Sequence, residues 1–263
     1  MPELPDVEGF RRVLDAYGTG HRVVRVEVAD AGVLRDVSTA RLRRGLEGRR
    51  FRAAERRGKW LLGRTDGPTV LFHFGMTGRL VPADAGAPRE RWDRVAFRLD
   101  DGRELRFRDQ RKLRGIWLAP TDEDAERVIG DQGPDALAVG DADFARRLAG
   151  RRGGLKGALL DQSVVAGLGN LLSDEILWQA RLHPAARADR LTDAERRRLV
   201  AATHHVLADA VPVGHVPADT DGLTGHRRDR DGTCPRCGGP LAHGRIAGRS
   251  TVWCPHCQPD PRA

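Results

Sequence analysis

The chain has 263 residues, 40% of them hydrophobic, 5% aromatic and 31% charged, with a formal net charge of +8. That length suits one large domain or two smaller ones, and the few aromatics predict a core built on Leu, Val and Ala. The positive balance points to a polyanionic partner, and no apolar run approaches the ~18 residues of a membrane span.

At the front, Pro5 followed by Asp6 and Glu8 reads as the first turn of a helix: proline gives up an N–H that is not needed there, and carboxylates suit the positive end of the dipole. Val7, Phe10, Leu14 and Tyr17 then share one face, and Gly18 and Gly20 end the element. From Arg22 to about Leu118 the pattern is that of strands. VVRVEV, VAFRLD and RELRFR alternate, the last two being joined by Asp101-Gly102, a hairpin signal; KWLLGR and TVLFHFGM add more strand material. A helix attached to many short strands predicts a β-sandwich.

Around Pro120 the chain turns helical. Thr121 caps TDEDAERVIG; DADFARRLAG and LKGALLDQSVV follow; a Gly-Leu-Gly-Asn turn precedes NLLSDEILWQ; and Thr192 to Glu195 form a capping box opening a helix through Ala210. Residues 212–233 read as polar loop. The fold class is therefore α+β, with expected domains at 1–125 (helix plus β-sandwich), 126–225 (helical) and 226–263 (Cys-rich).

Cys234, Cys237, Cys254 and Cys257 form two Cys-x2-Cys knuckles, the spacing that completes a four-sulfur shell for one structural zinc ion. Glu3, Asp6 and Glu8 stand where a secretory signal would be basic. A cytosolic location is thus expected, in which four cysteines do not form disulfides. The segment between the knuckles predicts a hairpin exposing Arg245 and Arg249 to phosphate. Only three of the 45 basic residues are lysines, Lys59, Lys112 and Lys156; each is a candidate for a proton-transfer task that arginine cannot perform. Excision of Met1 would leave Pro2 as a secondary amine, able to attack a carbonyl and give an iminium, with Glu3 beside it to move protons. Taken alone, the first ten residues fit a helix lead-in with no chemistry better than an active site.

The motifs in their order resemble the formamidopyrimidine-DNA glycosylase / endonuclease VIII family. MPELPDVE is similar to its N-terminal signature, Arg56 to Trp60 to its catalytic-lysine hairpin, and His73 to Gly78 to its loop with a void-filling Met. Asp109 to Leu113 resembles its intercalation loop, Leu160 to Asn170 its helix–two-turn–helix element, and the Cys-rich end its zinc ribbon. The resemblance implies a base-excision DNA repair enzyme, acting as a monomer on damaged duplex DNA. It would flip a damaged base, break the glycosidic bond and cut the strand at the abasic site. On it, Pro2 forms the imine, Glu3 assists ring opening, Lys59 is the general acid or base, and Arg249 serves δ-elimination. Met76, Arg111 and Leu113 fill the vacated stack, while Arg152, Lys156, Asn170 and Arg249 grip phosphates. Two alternatives are a lyase confined to abasic sites and a zinc-ribbon DNA-binding protein without catalysis. Asp6, Gln110, Leu113 and Trp92 depart from the family's common residues, and the short segment 212–226 weakens any expectation of an 8-oxoguanine preference.

Overall fold

A computed structural model describes residues 1–218 and 221–260. The chain divides into two compact units: Met1–Pro2 with Asp6–Asp131, and Glu3–Pro5 with Gln132 onward.

The first unit holds α1 (Leu4–Tyr17) from Asp6 onward, then β1 (Val23–Val28), α2 (Thr39–Leu46), β2 (Phe51–Arg57), β3 (Trp60–Thr65) and β4 (Thr69–His73). It continues with β5 (Arg79–Asp84), β6 (Asp93–Leu99), β7 (Arg103–Arg108), β8 (Gly115–Ala119) and α3 (Asp122–Ile129). Two antiparallel four-stranded sheets, ordered β1-β6-β7-β5 and β2-β3-β4-β8, enclose one core. Val7 and Leu14 of α1 enter it beside Phe51, Phe72, Phe97 and Phe107. The expectation of an aliphatic core holds for the second unit only. Of the seven phenylalanines, Phe144 alone sits in the second unit's core, and the stacked Phe72, Phe74 and Phe107 anchor the first.

The sheets differ in their outer faces. Trp60, Leu62, Leu71 and Trp117 on the second sheet are covered by Ala125 and Ile129 of α3, so this helix packs with the strands. The alternation in β6 and β7 marks the core face, but the polar face is buried as well. Arg106 is 2% exposed, ion-paired to Glu104 at 2.9 Å and to Asp93 at 3.4 Å. A buried guanidinium is tolerated there because two carboxylates and the carbonyls of Ala87 and Pro88 accept its protons.

The second unit contains α4 (Asp141–Ala149), α5 (Leu155–Leu160), α6 (Asn170–Gln179), α7 (Asp193–Val213), α8 (Leu223–His226) and the hairpin β9 (Ala242–Ile246) and β10 (Arg249–Trp253). The capping box at Thr192 and Glu195 is formed in both directions. α7 runs past Ala210 to Val213, and α8 forms within the stretch read as loop; Leu223 of α8 is buried against Trp178, Leu241 and Val252. Along α6, Ser173, Asp174 and Glu175 are buried together with the apolar residues.

Candidate functional site

Pro2 lies just ahead of α1, at the wall of a cavity of about 410 Å³ that is also lined by Asp6, Phe10, Met76, Trp92 and Arg108. Lys59 and Leu113 do not line this cavity. Lys59 follows Gly58, whose φ of +53° makes the tight β2–β3 turn that a side chain would strain. Arg56 in the same hairpin donates to Glu8 at 3.1 Å and to the Gly58 carbonyl at 3.1 Å. Glu8 therefore ties the lysine hairpin to α1, the helix that follows Pro2. Trp92 carries Arg91 at 4.3 Å and Arg94 at 5.0 Å from its ring centroid. An aromatic quadrupole thus steadies two cations at the cavity's edge.

Met76 and Leu113 are exposed, at 40% and 50%. Gly75 turns the Met76 loop with φ +60° and donates its N–H to Nδ1 of His73 at 3.2 Å. Burial, aided by the charges of Arg114 and Lys59, pushes the His73 imidazole down to about 4, so it is neutral and can accept that bond. Arg111 is exposed and donates to Sδ of Met76 at 3.0 Å. Lys112 instead pairs with Asp30 at 3.0 Å.

In the second unit Glu3 is 1% exposed, and its two oxygens accept the N–H groups of Leu171 (2.8 Å) and Leu172 (3.1 Å). These are orphan donors at the start of α6, so a residue distant in sequence supplies the cap that Gly169 cannot. The Gly-Leu-Gly turn explains itself by this contact. A Cβ on Gly169 would stand 2.2 Å from Cδ of Glu3, and one on Gly167 (φ +114°) 2.5 Å from Leu4. Leu4 also donates its N–H to the Gly167 carbonyl at 3.1 Å.

Lys156 is fully buried. Its ammonium meets Asp174 at 2.6 Å, Oγ1 of Thr251 at 2.7 Å and the Ser250 carbonyl at 3.2 Å. Asp174 also pairs with Arg227, which donates to the Ser250 carbonyl at 2.5 Å. Burial, with Arg227 and Arg249 nearby, pushes Lys156 down to about 7, against the opposing pull of Glu3. Asn170 donates to the Ser250 carbonyl at 3.0 Å while its Oδ1 is buried without a partner among the described residues. Arg249 and Arg152 are exposed; Arg249 opens β10 after the two-residue turn Ala247-Gly248, both with positive φ. Asp174 and Arg227 escaped the sequence reading. Only the charged pair inside an apolar helix, LLSDEILW, signalled a buried network.

The four cysteine sulfurs lie within 4.8 Å of one another. That suits a tetrahedral site, and Trp178 donates to Cys234 Sγ at 3.3 Å, which favours the thiolate form a metal needs.

Three family models match the chain. The formamidopyrimidine-DNA glycosylase N-terminal domain covers residues 1–116, the formamidopyrimidine-DNA glycosylase H2TH domain 132–220, and the zinc finger found in FPG and IleRS 232–259. A formamidopyrimidine-DNA glycosylase of Symbiobacterium thermophilum is 42% identical over 99% of this chain and 90% of its own length. Another, from a Nocardioides species, is 39% identical over 100% and 96%. Among solved structures, Lactococcus lactis Fpg in complex with abasic-site DNA superposes with a TM-score of 0.87 at 28% identity, covering 98% of this chain and all of that one. MutM in complex with DNA containing carbocyclic 8-oxo-G gives 0.88 at 28% identity with the same coverage. The fold and its zinc-finger end are those of a base-excision DNA repair glycosylase. The chain belongs to the formamidopyrimidine-DNA glycosylase family, whose members are DNA glycosylases with abasic-site lyase activity.

Proposed function

We propose that this chain removes oxidised or ring-opened bases from duplex DNA and then cuts the strand through an imine at Pro2. The observation that carries this is the placement of Pro2 at the wall of a cavity that also holds Met76, Trp92 and Arg108, beside a residue, Glu3, anchored through both oxygens. With Met1 removed, the Pro2 nitrogen bonds to C1′ of the deoxyribose as the glycosidic bond breaks, and the base departs with the electron pair and a proton. Opening of the sugar ring gives the iminium. Loss of a C2′ proton then expels the 3′ phosphate, and a second elimination expels the 5′ phosphate.

Lys59, held by the Gly58 turn, donates and accepts the protons of these steps. Glu3 assists ring opening from its anchored position. Met76, Arg111 and Leu113 occupy the stack that the flipped nucleotide leaves. Asn170, Arg152 and Arg249 contact phosphates, and Arg249 serves the second elimination. Lys156, buried and paired with Asp174, fixes β10 through Ser250 and Thr251. Cys234, Cys237, Cys254 and Cys257 hold one zinc ion per chain, which closes the shell and cross-links the hairpin to its knuckles without taking part in catalysis. No helix among the described residues is long and apolar enough to cross a membrane, and the protein works on DNA.

The test is a set of duplexes that each contain one 8-oxoguanine, ring-opened purine, dihydrouracil or abasic site, with base release and strand cutting measured separately. Release and cutting on at least one damaged base is expected. Cutting at the abasic site alone would select the lyase-only reading, and neither product would refute the proposal.

A further inference from the structure

The exposed Met76 and Arg111 sit on two different loops, yet one buried carboxylate joins them. Asp109 is 1% exposed, and its Oδ1 accepts the Thr77 hydroxyl at 2.5 Å and the Arg111 N–H at 3.1 Å. The Arg111 N–H is shared with Oγ1 of Thr77 at 3.1 Å. Asp109 is itself fixed from both sides of its backbone: its N–H donates to the Trp92 carbonyl at 3.0 Å, and its carbonyl accepts from Arg94 at 2.8 Å. The far end of the same loop is tied down separately, since Arg35 donates to the Lys112 carbonyl at 2.7 Å and Lys112 pairs with Asp30.

We propose that Asp109 and Thr77 form a clamp that presents the Met76 and Arg111 loops to DNA as one preassembled wedge, making both of them positioning residues for insertion into the duplex. This rests on the reading of Met76, Arg111 and Leu113 as stack-filling groups. Three observations favour the clamp over ordinary loop packing. Each hydrogen bond of Oδ1 reaches a residue adjacent to, or identical with, an inserted one. The side chains of Arg111 and Met76 touch above it. Oδ2 is buried without a partner among the described residues. A carboxylate placed only to stabilise the loop would have both oxygens satisfied, whereas an orphan acceptor is tolerated where position matters more than stability. Holding the wedge before contact removes the ordering that two independent exposed loops would require on binding.

The experiment follows insertion by stopped-flow fluorescence of 2-aminopurine placed opposite an abasic site, with urea unfolding of each variant as a folding control. Thr77→Val removes the hydroxyl at constant shape and slows the insertion phase about tenfold, the size expected for losing one hydrogen bond to a charged group. Thr77→Ser restores the rate, and Asp109→Asn, which keeps Oδ1, slows it less than Thr77→Val. In a Met76→Ala/Arg111→Ala background, Thr77→Val adds nothing, because the clamp then has neither side chain to present. A wild-type insertion rate in Thr77→Val beside a slow Met76→Ala overturns the clamp and leaves the filling role standing. Normal rates in both Met76→Ala and Arg111→Ala overturn the filling role itself. A full additive effect of Thr77→Val in that double-variant background assigns Thr77 to general folding and also overturns the proposal.

Discussion

Gly169→Ala is the substitution that most isolates how the front of the chain is anchored. Gly169 has φ −126° and ψ −161°, extended values that alanine adopts without strain, so the effect comes from space alone. The new methyl would stand 2.2 Å from Cδ and 2.5 Å from Oε1 of Glu3. These atoms are the movable end of a flexible side chain, so Glu3 swings away and leaves the amides of Leu171 and Leu172 uncapped. Loss of a cap alone costs about 1–2 kcal/mol. If the carboxylate stays buried without its two donors, the cost approaches the ~3–6 kcal/mol of two hydrogen bonds to a charged group. Glu3 is bonded to Pro2, so the amine also loses its fixed neighbour, and imine formation slows by about tenfold or more. Urea unfolding and the rate of borohydride-trapped adduct on abasic-site DNA measure the two effects. In a Glu3→Ala background nothing remains to clash with, and Gly169→Ala then costs less than about 0.5 kcal/mol. Wild-type stability and trapping in the single variant, or the same cost in both backgrounds, would refute the reasoning.

Other perturbations have equally definite outcomes. Lys156 loses its proton near 7 in the folded chain against the ordinary 10.5; between those values the unfolded state holds the extra proton, so stability rises with pH. Comparing urea midpoints at pH 7 and 9 should show this rise in the wild type and a smaller one in Lys156→Met. Chelation of the metal should weaken DNA binding about tenfold or more by freeing the hairpin that carries Arg249, read by fluorescence anisotropy; unchanged affinity after verified zinc loss would contradict this. Lys59→Met should leave DNA affinity near wild type while slowing base release by about 10²–10⁴-fold, measured in single-turnover assays.

What the sequence revealed was local or strongly patterned. The four cysteines, the Thr192 capping box and the apolar face of α1 depend on residues a few positions apart, and all appear as read. What it concealed depends on distant partners. The alternation of RELRFR carried no sign that Glu104 and Arg106 are buried, which depends on their pairing with each other and on Asp93 of the neighbouring strand. The glycines at 167 and 169 read as a turn, whereas the space they leave is for Leu4 and Glu3, more than 160 positions earlier. In the sequence Glu3 was a candidate proton carrier, with no sign that it caps α6. Met76, Arg111 and Leu113 were candidates through resemblance, while the hydrogen bonds of Asp109 to Thr77 and Arg111 became visible only in three dimensions.

The proposed chemistry turns on the Pro2 nitrogen as nucleophile. Borohydride reduction of the protein on abasic-site DNA, followed by proteolysis and mass spectrometry, tests it most directly. A sugar-derived mass is expected on the N-terminal peptide beginning at Pro2, and none when Met1 is retained. An adduct mapped to Lys59 or Lys156, or trapping that is indifferent to Met1, would contradict it.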